Sequence, residues 1–375
     1  MRRPAQAMPF VIGRGTDDRD RPTAALGQYR APDGSSGADL GLDLDGPHAV
    51  LVVGKRGYGK SYTVGVIAEE LARASGVAPT VIDPIGVFTP LDKAATGEPI
   101  PATVRDDPAV RPDALDPRSW CTMLGLSPES GAGSLVWRAA QEESSLAAMC
   151  THVDAADAPG TASRAAENHL RLAESWDVFD PDGLDAGALG GGEVTVVDVS
   201  GLDAAPMNAV CRGVAEALYR GRVDGTIDRL PWLLVDEAHT FFDGVAHSAL
   251  ARILTRGRAP GVSLVAATQR PSAVPEVGIS QSDILVSHRL TARDDLDALT
   301  AAQPTYLNAS LDDRMPTAPG EVRIVDDSTE TVHAAEIRSR DTPHGGDSPT
   351  ASEVAVGDDR SSPKWLGGSL EDSER

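Results

Sequence analysis

With 375 residues, 41% of them hydrophobic, the chain can fill the core of one large α/β domain or two small ones, and a globular class is expected. A formal net charge of −22 ordinarily excludes a nucleic-acid partner, because phosphate binding draws on Lys and Arg. Here only 4 of the 34 basic residues are lysines, two of them inside one glycine-rich loop, and the acids are spread over the whole length. That pattern is expected of adaptation to a high-salt cytoplasm, where the Debye length falls to about 3 Å near 1 M salt and local arginines matter more than global charge.

Residues 1–46 are rich in Asp, Gly, Pro and Arg. Phe10-Val11-Ile12-Gly13 reads as a short strand and Asp43-Leu44-Asp45 alternates like an edge strand, so this N-terminal extension is expected to form little more than a flap. Met1 to Phe10 has no apolar stretch of signal-peptide length, and no segment approaches 18 apolar residues in a row, so a cytoplasmic protein without a membrane partner is expected.

Ala49-Val50-Leu51-Val52-Val53 is a strand-like run. It enters Gly54-Lys55-Arg56-Gly57-Tyr58-Gly59-Lys60-Ser61, which fits the Gly-x-x-x-x-Gly-Lys-Ser pattern of a phosphate-binding loop. The chemistry needs these types. Glycines let successive backbone N–H groups turn inward around a polyphosphate, Lys60 reaches the β- and γ-phosphates, and the Ser61 hydroxyl holds Mg²⁺. Val64, Ile67 and Leu71 follow at helical spacing, so the loop sits where a strand meets a helix N-terminus. Gly54, Gly57, Tyr58, Gly59, Lys60, Ser61 and Tyr62 are therefore the expected ATP-binding segment.

Thr80-Val81-Ile82-Asp83-Pro84 gives the next strand, with Asp83 at its C-terminal end, where ligands bind in open α/β sheets. Another strand is expected near Ala109-Val110. Residues 113–188 read as mostly helical, with longer helices over Ser134 to Cys150 and Ala162 to Trp176, and the long interval between Lys60 and Asp236 marks them as an inserted helical subdomain. After Gly190-Gly191-Gly192 the strand–helix alternation resumes with Val194 to Asp198 and a helix carrying Met207, Val210, Val214 and Leu218.

Leu233-Leu234-Val235-Asp236-Glu237 is an apolar strand ending in two carboxylates, which is what Mg²⁺-dependent phosphoryl transfer needs opposite a phosphate loop. Asp236 is expected to hold Mg²⁺ with Ser61, and Glu237 to polarise the attacking water as general base. His239 beside them is expected to orient Glu237 or to pack. A helix over Ser248 to Arg258 and a strand over Val262 to Ala266 lead to Thr268-Gln269-Arg270-Pro271, a turn ending a strand adjacent to the acid strand, where Gln269 can reach the γ-phosphate or the attacking water. A closing β section covers Glu321 to Val325 and Val332 to Ile337, and 341–375 reads as a disordered acidic tail. Cys121, Cys150 and Cys211 lack metal-ligand spacing and are expected to pack as reduced thiols.

Asp236-Glu237-Ala238-His239 spells the box of the DEAH helicases, but no second helicase-like lobe is visible downstream. The chain instead resembles the HerA/FtsK superfamily of ring-forming ATPases, nearest its HerA-like branch. The likeness covers about 48–340 and rests on the phosphate loop with Val66 to Leu71, on Asp83-Pro84-Ile85-Gly86, on Leu234 to His239, on Arg256 to Gly261, on Thr268 to Pro271 and on His288-Arg289-Leu290. The resemblance implies a RecA-like, mostly parallel sheet flanked by helices, ATP hydrolysis at the subunit interfaces of a hexamer, translocation of duplex DNA through a central pore, and a nuclease partner in DNA end processing. Such an interfacial site needs a cation from the neighbour. Arg258 and Arg289 are the candidates, with Arg256, Arg270 and Arg293 expected to be structural or DNA-facing.

The HerA branch carries an N-terminal β-barrel that 47 residues cannot supply at normal size, which puts partner docking in doubt. Tyr58 also departs, standing where smaller residues are common. A second function therefore stays open: a nucleotide-gated switch or assembly ATPase acting on a protein partner without moving DNA.

Overall fold

The computed structural model describes residues 10–14, 21–31, 33–95, 99–301 and 315–346. Twelve strands form one sheet: β1 (Phe10–Ile12), β2 (Thr23–Arg30), β3 (Ser36–Asp43), β4 (Ala49–Val53), β5 (Val77–Asp83), β6 (Ala102–Arg105), β7 (Val194–Asp198), β8 (Leu230–Val235), β9 (Ser263–Thr268), β10 (Ile284–Ser287), β11 (Glu321–Asp326) and β12 (Thr331–Ile337). Their order is β1-β3-β2-β12-β11-β10-β4-β9-β8-β5-β7-β6. From β10 to β6 every neighbouring pair is parallel. These strands read as continuous apolar runs because helices cover both faces: β5 and β9 are buried at every residue.

The helices are α1 (Lys60–Arg73), α2 (Pro117–Met123), α3 (Gly131–Glu142), α4 (Leu146–Ala155), α5 (Gly160–Glu174), α6 (Ala186–Leu189), α7 (Ala204–Asp224), α8 (His239–Phe242), α9 (His247–Arg256), α10 (Glu276–Ser280) and α11 (Arg293–Ala301). One face of the sheet packs against α1 through Val64, Ile67 and Leu71. The other packs against α7 and α9 through Val210, Val214, Leu218, Leu250 and Ile253. Both are amphipathic stripes at helical spacing.

Helices α2 to α5 build a core of their own around Trp120, Leu135, Met149 and Leu170, into which Ala209 of α7 intrudes. The long helix expected over Ser134 to Cys150 is two helices, because Ser145 caps the second by accepting from Ala148 N. The strand expected near Val110 is β6 instead; Val110 itself is buried and makes only isolated bridges to Phe179 and Leu184.

Both ends of the chain contribute more than a flap and a tail. β2 and β3 pair antiparallel with each other, β2 joins β12, and β1 lies parallel to β3, so the N-terminal strands extend the sheet beyond β12 and put Ile12, Leu26, Leu40 and Leu42 into the same core as Ile67. After β12 the chain crosses α1. Glu69, wholly buried there, accepts from the N–H groups of Asp341 and Thr342 and from Thr342 Oγ1, and pairs with Arg338 Nη2 at 2.8 Å. Residues 341–346 are thus packed in place, while 347–375, the rest of the expected acidic tail, lie outside the described residues.

Candidate functional site

The C-terminal ends of β4, β9 and β8 lie side by side, so the phosphate loop after β4, Thr268-Gln269 after β9 and Asp236-Glu237 after β8 share one rim of the sheet. This is where an open α/β sheet places its ligands. Gly57 and Gly59 have φ of 82° and 109°, backbone states that disfavour a side chain, and Gly59 is the N-cap of α1. The first-turn N–H groups of α1 have no intrahelical partners, so the helix offers an anion site with Lys60, 5% exposed, at its first position.

Ser61 Oγ donates to Asp236 Oδ2 at 2.6 Å, bringing the two expected Mg²⁺ ligands together. Burial raises the Asp236 pKa; the Ser61 hydrogen bond opposes this and the Glu237 carboxylate adds to it. Among the described residues no cluster of three or more His, Cys, Asp or Glu side chains could hold a metal unaided. The donor set nevertheless suits Mg²⁺, which binds through one or two protein oxygens and completes its octahedron with water and substrate phosphates.

Glu237 has φ 43°, left-handed for a residue with a side chain. The turn is pinned on both sides, with Glu237 N donating to Asp236 Oδ1 and Ala238 N to Ala267 O. Its buried Oε2 accepts no hydrogen bond. His239 Nδ1 stands 3.3 Å from that oxygen, in poor alignment, and 3.2 Å from Thr268 Oγ1. Burial, with the charges of Arg270 and Lys60, lowers the His239 pKa, which disfavours an ion pair with Glu237. Burial raises the Glu237 pKa, with Lys60 and Arg56 pulling the other way. The result is a buried carboxylate oxygen with a free lone pair beside a cation, the arrangement of a general base.

Gln269 follows the last residue of β9, between loop and acids, and is partly exposed. Tyr58 lies beneath Lys55 Nζ, 4.6 Å from the ring centroid, and the Arg289 guanidinium, at 5.8 Å. The Tyr62 side chain turns away from the loop, its hydroxyl accepting from Arg340 N at 2.7 Å, which leaves its backbone N–H as its route to phosphate.

The two candidate arginines separate. Arg289 is at the rim, donating to Thr317 O and supplying its own carbonyl to Lys55 N. Arg258 precedes β9 rather than following it, so the six-residue strand, at about 3.3 Å per residue, sets it roughly 20 Å from the site at the other end of the sheet. It is exposed in a shallow cleft with Tyr219, Arg222 and Arg256, and among the described residues no hydrogen bond or ion pair reaches it.

Sequence reasoning gave no role to two residues beside the site. His288 and Thr63 lie directly behind the phosphate loop, His288 Nε2 meeting Thr63 Oγ1 at 2.9 Å. Sequence reading named His288 only within the His288-Arg289-Leu290 motif, without a role, and did not single out Thr63.

The family described as "Helicase HerA, central domain" matches residues 27–147. The DNA double-strand break repair helicase HerA of Pyrococcus furiosus is 24% identical over 347 residues, covering 74% of this chain and 62% of the relative, so the chain spans less than two thirds of that protein's length. Among solved structures, VirB4 of Thermoanaerobacter pseudethanolicus shares the fold with a TM-score of 0.59 at 15% identity, over 84% of this chain and 97% of that one. The bacterial conjugative coupling protein TrwBΔN70 does so with a TM-score of 0.53 at 13% identity, over 82% and 89%. Among the described residues no helix is long and apolar enough to cross a membrane.

Proposed function

We propose that this chain is a HerA-like P-loop ATPase of the FtsK/HerA class that hydrolyses ATP with Mg²⁺ and couples turnover to movement along duplex DNA, as a cytoplasmic ring, a hexamer, that works beside a nuclease. The observation that carries the chemistry is the buried, unbonded Oε2 of Glu237 next to the Ser61–Asp236 pair. Lys60 and the loop N–H groups bind and orient the β- and γ-phosphates. Mg²⁺, when bound, neutralises charge on those phosphates, and Ser61 and Asp236 are the residues that would hold it. Gln269 orients the attacking water, and Glu237 Oε2 accepts its proton as the water oxygen closes on the γ-phosphorus and the bond from that phosphorus to the β,γ-bridging oxygen breaks, releasing ADP and phosphate. Arg258, remote from its own chain's loop, serves a neighbouring subunit; Arg289 serves its own.

The DNA-coupled part rests on the HerA relative being a DNA repair helicase. It is tested by ATP hydrolysis in molar KCl with Mg²⁺, with and without duplex DNA, using Glu237→Gln as the blank. Severalfold stimulation by DNA is expected. Hydrolysis lost in the variant yet indifferent to DNA would overturn the motor and leave a nucleotide-gated switch acting on a protein partner.

A further inference from the structure

We propose that His288 is a positioning residue for nucleotide binding, its imidazole holding the phosphate loop and the first turn of α1 in the register that a polyphosphate needs. The inference rests on the nucleotide site proposed above.

His288 is completely buried and follows the last residue of β10, donating its N–H to Val53 O at 2.8 Å, just before the loop begins. Its Cβ fills the space that Gly54 leaves open, and its ring fills the space at Gly59. A Cβ on Gly54 would lie 2.5 Å from His288 Cβ, and one on Gly59 would lie 3.1 Å from His288 Cε1. Thr63, equally buried, takes the other side, with its hydroxyl 2.9 Å from Nε2 and its N–H bound to Gly59 O. The neighbouring backbone holds the same loop, through Lys55 N to Arg289 O at 2.8 Å and Gly320 N to Tyr58 O at 3.4 Å. Loop and helix are therefore gripped at Gly54, Lys55, Tyr58, Gly59 and Thr63 by one support, with His288 in its middle.

A role in filling space alone does not account for the residue type. The imidazole lies near the backbone of Tyr58 and Glu321, but its buried Nδ1 makes no well-formed hydrogen bond, a desolvation cost that an apolar side chain would avoid. Burial and the Lys60 charge push the imidazole down to about 4, so the ring stays neutral and adds no competing cation next to a loop that binds anions. What the imidazole supplies that a Leu could not is the directional bond to Thr63, on the turn whose N–H groups face the phosphates.

The test is titration of Mg·ATP into the full chain, with KM and kcat measured alongside, for wild type, Thr63→Val, His288→Gln, His288→Ala, the Thr63→Val/His288→Gln pair and Lys60→Ala. Thr63→Val keeps side-chain shape and is expected to raise Kd and KM by between about threefold and tenfold, what one hydrogen bond is worth, with kcat nearly unchanged. His288→Gln can still reach the Thr63 hydroxyl and is expected to recover most of the affinity that His288→Ala loses. The double variant is expected to be no weaker than Thr63→Val, because the two residues act through one contact. Wild-type Kd and KM in both Thr63→Val and His288→Ala would reduce His288 to packing and overturn the inference. Should His288→Ala fail to fold, Thr63→Val and His288→Gln still decide it. If Lys60→Ala binds Mg·ATP as tightly as wild type, the nucleotide site itself is misassigned, and His288 falls with it.

Discussion

Glu237 occupies a backbone state that costs of order 1–3 kcal/mol for a residue with a side chain, and two hydrogen bonds, from its own N–H to the Asp236 carboxylate and from Ala238 N to Ala267 O, hold it there. What that arrangement achieves is to hold one carboxylate oxygen, buried and unbonded, at the rim that Lys60 and Ser61 share. Replacement by glutamine keeps the volume and removes the basic lone pair. Glu237→Gln is therefore expected to bind Mg·ATP within about threefold of wild type while turnover falls by roughly 10²–10⁴, the contribution of a positioned general base. Binding by titration and phosphate release by a coupled assay separate the two quantities. Undiminished phosphate release would transfer the base to another group. Lys60→Ala should instead lose binding, since no other lysine or arginine is buried at the start of α1.

At the scale of elements, the N-terminal strands are tied to the parallel strands by a charged cluster at the end of the sheet opposite the phosphate loop. His48, just before β4, lies 2.7 Å from Asp283 Oδ2 and 3.2 Å from Asp43 Oδ2 of β3, Asp283 also takes Ala49 N, and Arg14 binds Asp43. Burial disfavours the imidazolium, but the bonds and charges of the two aspartates outweigh it and raise the His48 pKa to about 9. A folded-state pKa above the unfolded value of about 6.5 means stabilisation that is complete below that pH and lost as pH climbs through about 9. Its ceiling is of order 3 kcal/mol. Denaturant melts of wild type from pH 6 to 10 should therefore show stability falling across that window, and His48→Gln should flatten the fall. A fall of equal size in both proteins would place the titrating group elsewhere.

This cluster also shows where sequence patterns stop. β4, β5, β7, β8 and β9 were legible because each is a short apolar run that ends in a chemically distinctive turn, and the phosphate loop, the Asp236-Glu237 pair and Gln269 fell into place from those turns; β10 was not read, and β6 lies upstream of the strand expected near Val110. β2 was not legible, because Thr23–Arg30 contains Gly27 and Gln28 and its alternation is interrupted by register shifts against β3. Strands 300 residues apart that pair only in the folded chain, as β2 does with β12, leave no local periodicity to read. Nor do His48 and His288 announce themselves: a single histidine acquires its role from which strand ends the topology brings together.

For the whole molecule, the position of Arg258 turns an ambiguity of sequence into a geometric one. A side chain at the entry of β9 cannot reach the loop beside its exit, roughly 20 Å away, so if it serves ATP hydrolysis it does so in another copy. Arg258→Ala is then expected to retain Mg·ATP affinity and to lose most turnover, since a trans-acting arginine contributes about 10³–10⁵ in rate. Because Glu237→Gln is defective in the complementary half of each interface, the two inactive variants should rescue one another when their subunits are assembled together. Where an Arg258→Ala subunit supplies Glu237 and a Glu237→Gln neighbour supplies Arg258, the site is whole. Random assortment at equal amounts in a closed ring makes about a quarter of interfaces complete, and phosphate release by the co-assembled mixture should recover toward that fraction of wild type. A mixture as inactive as either variant alone would show that Arg258 acts within its own chain or only supports the fold, and would remove the strongest residue-level argument for a ring.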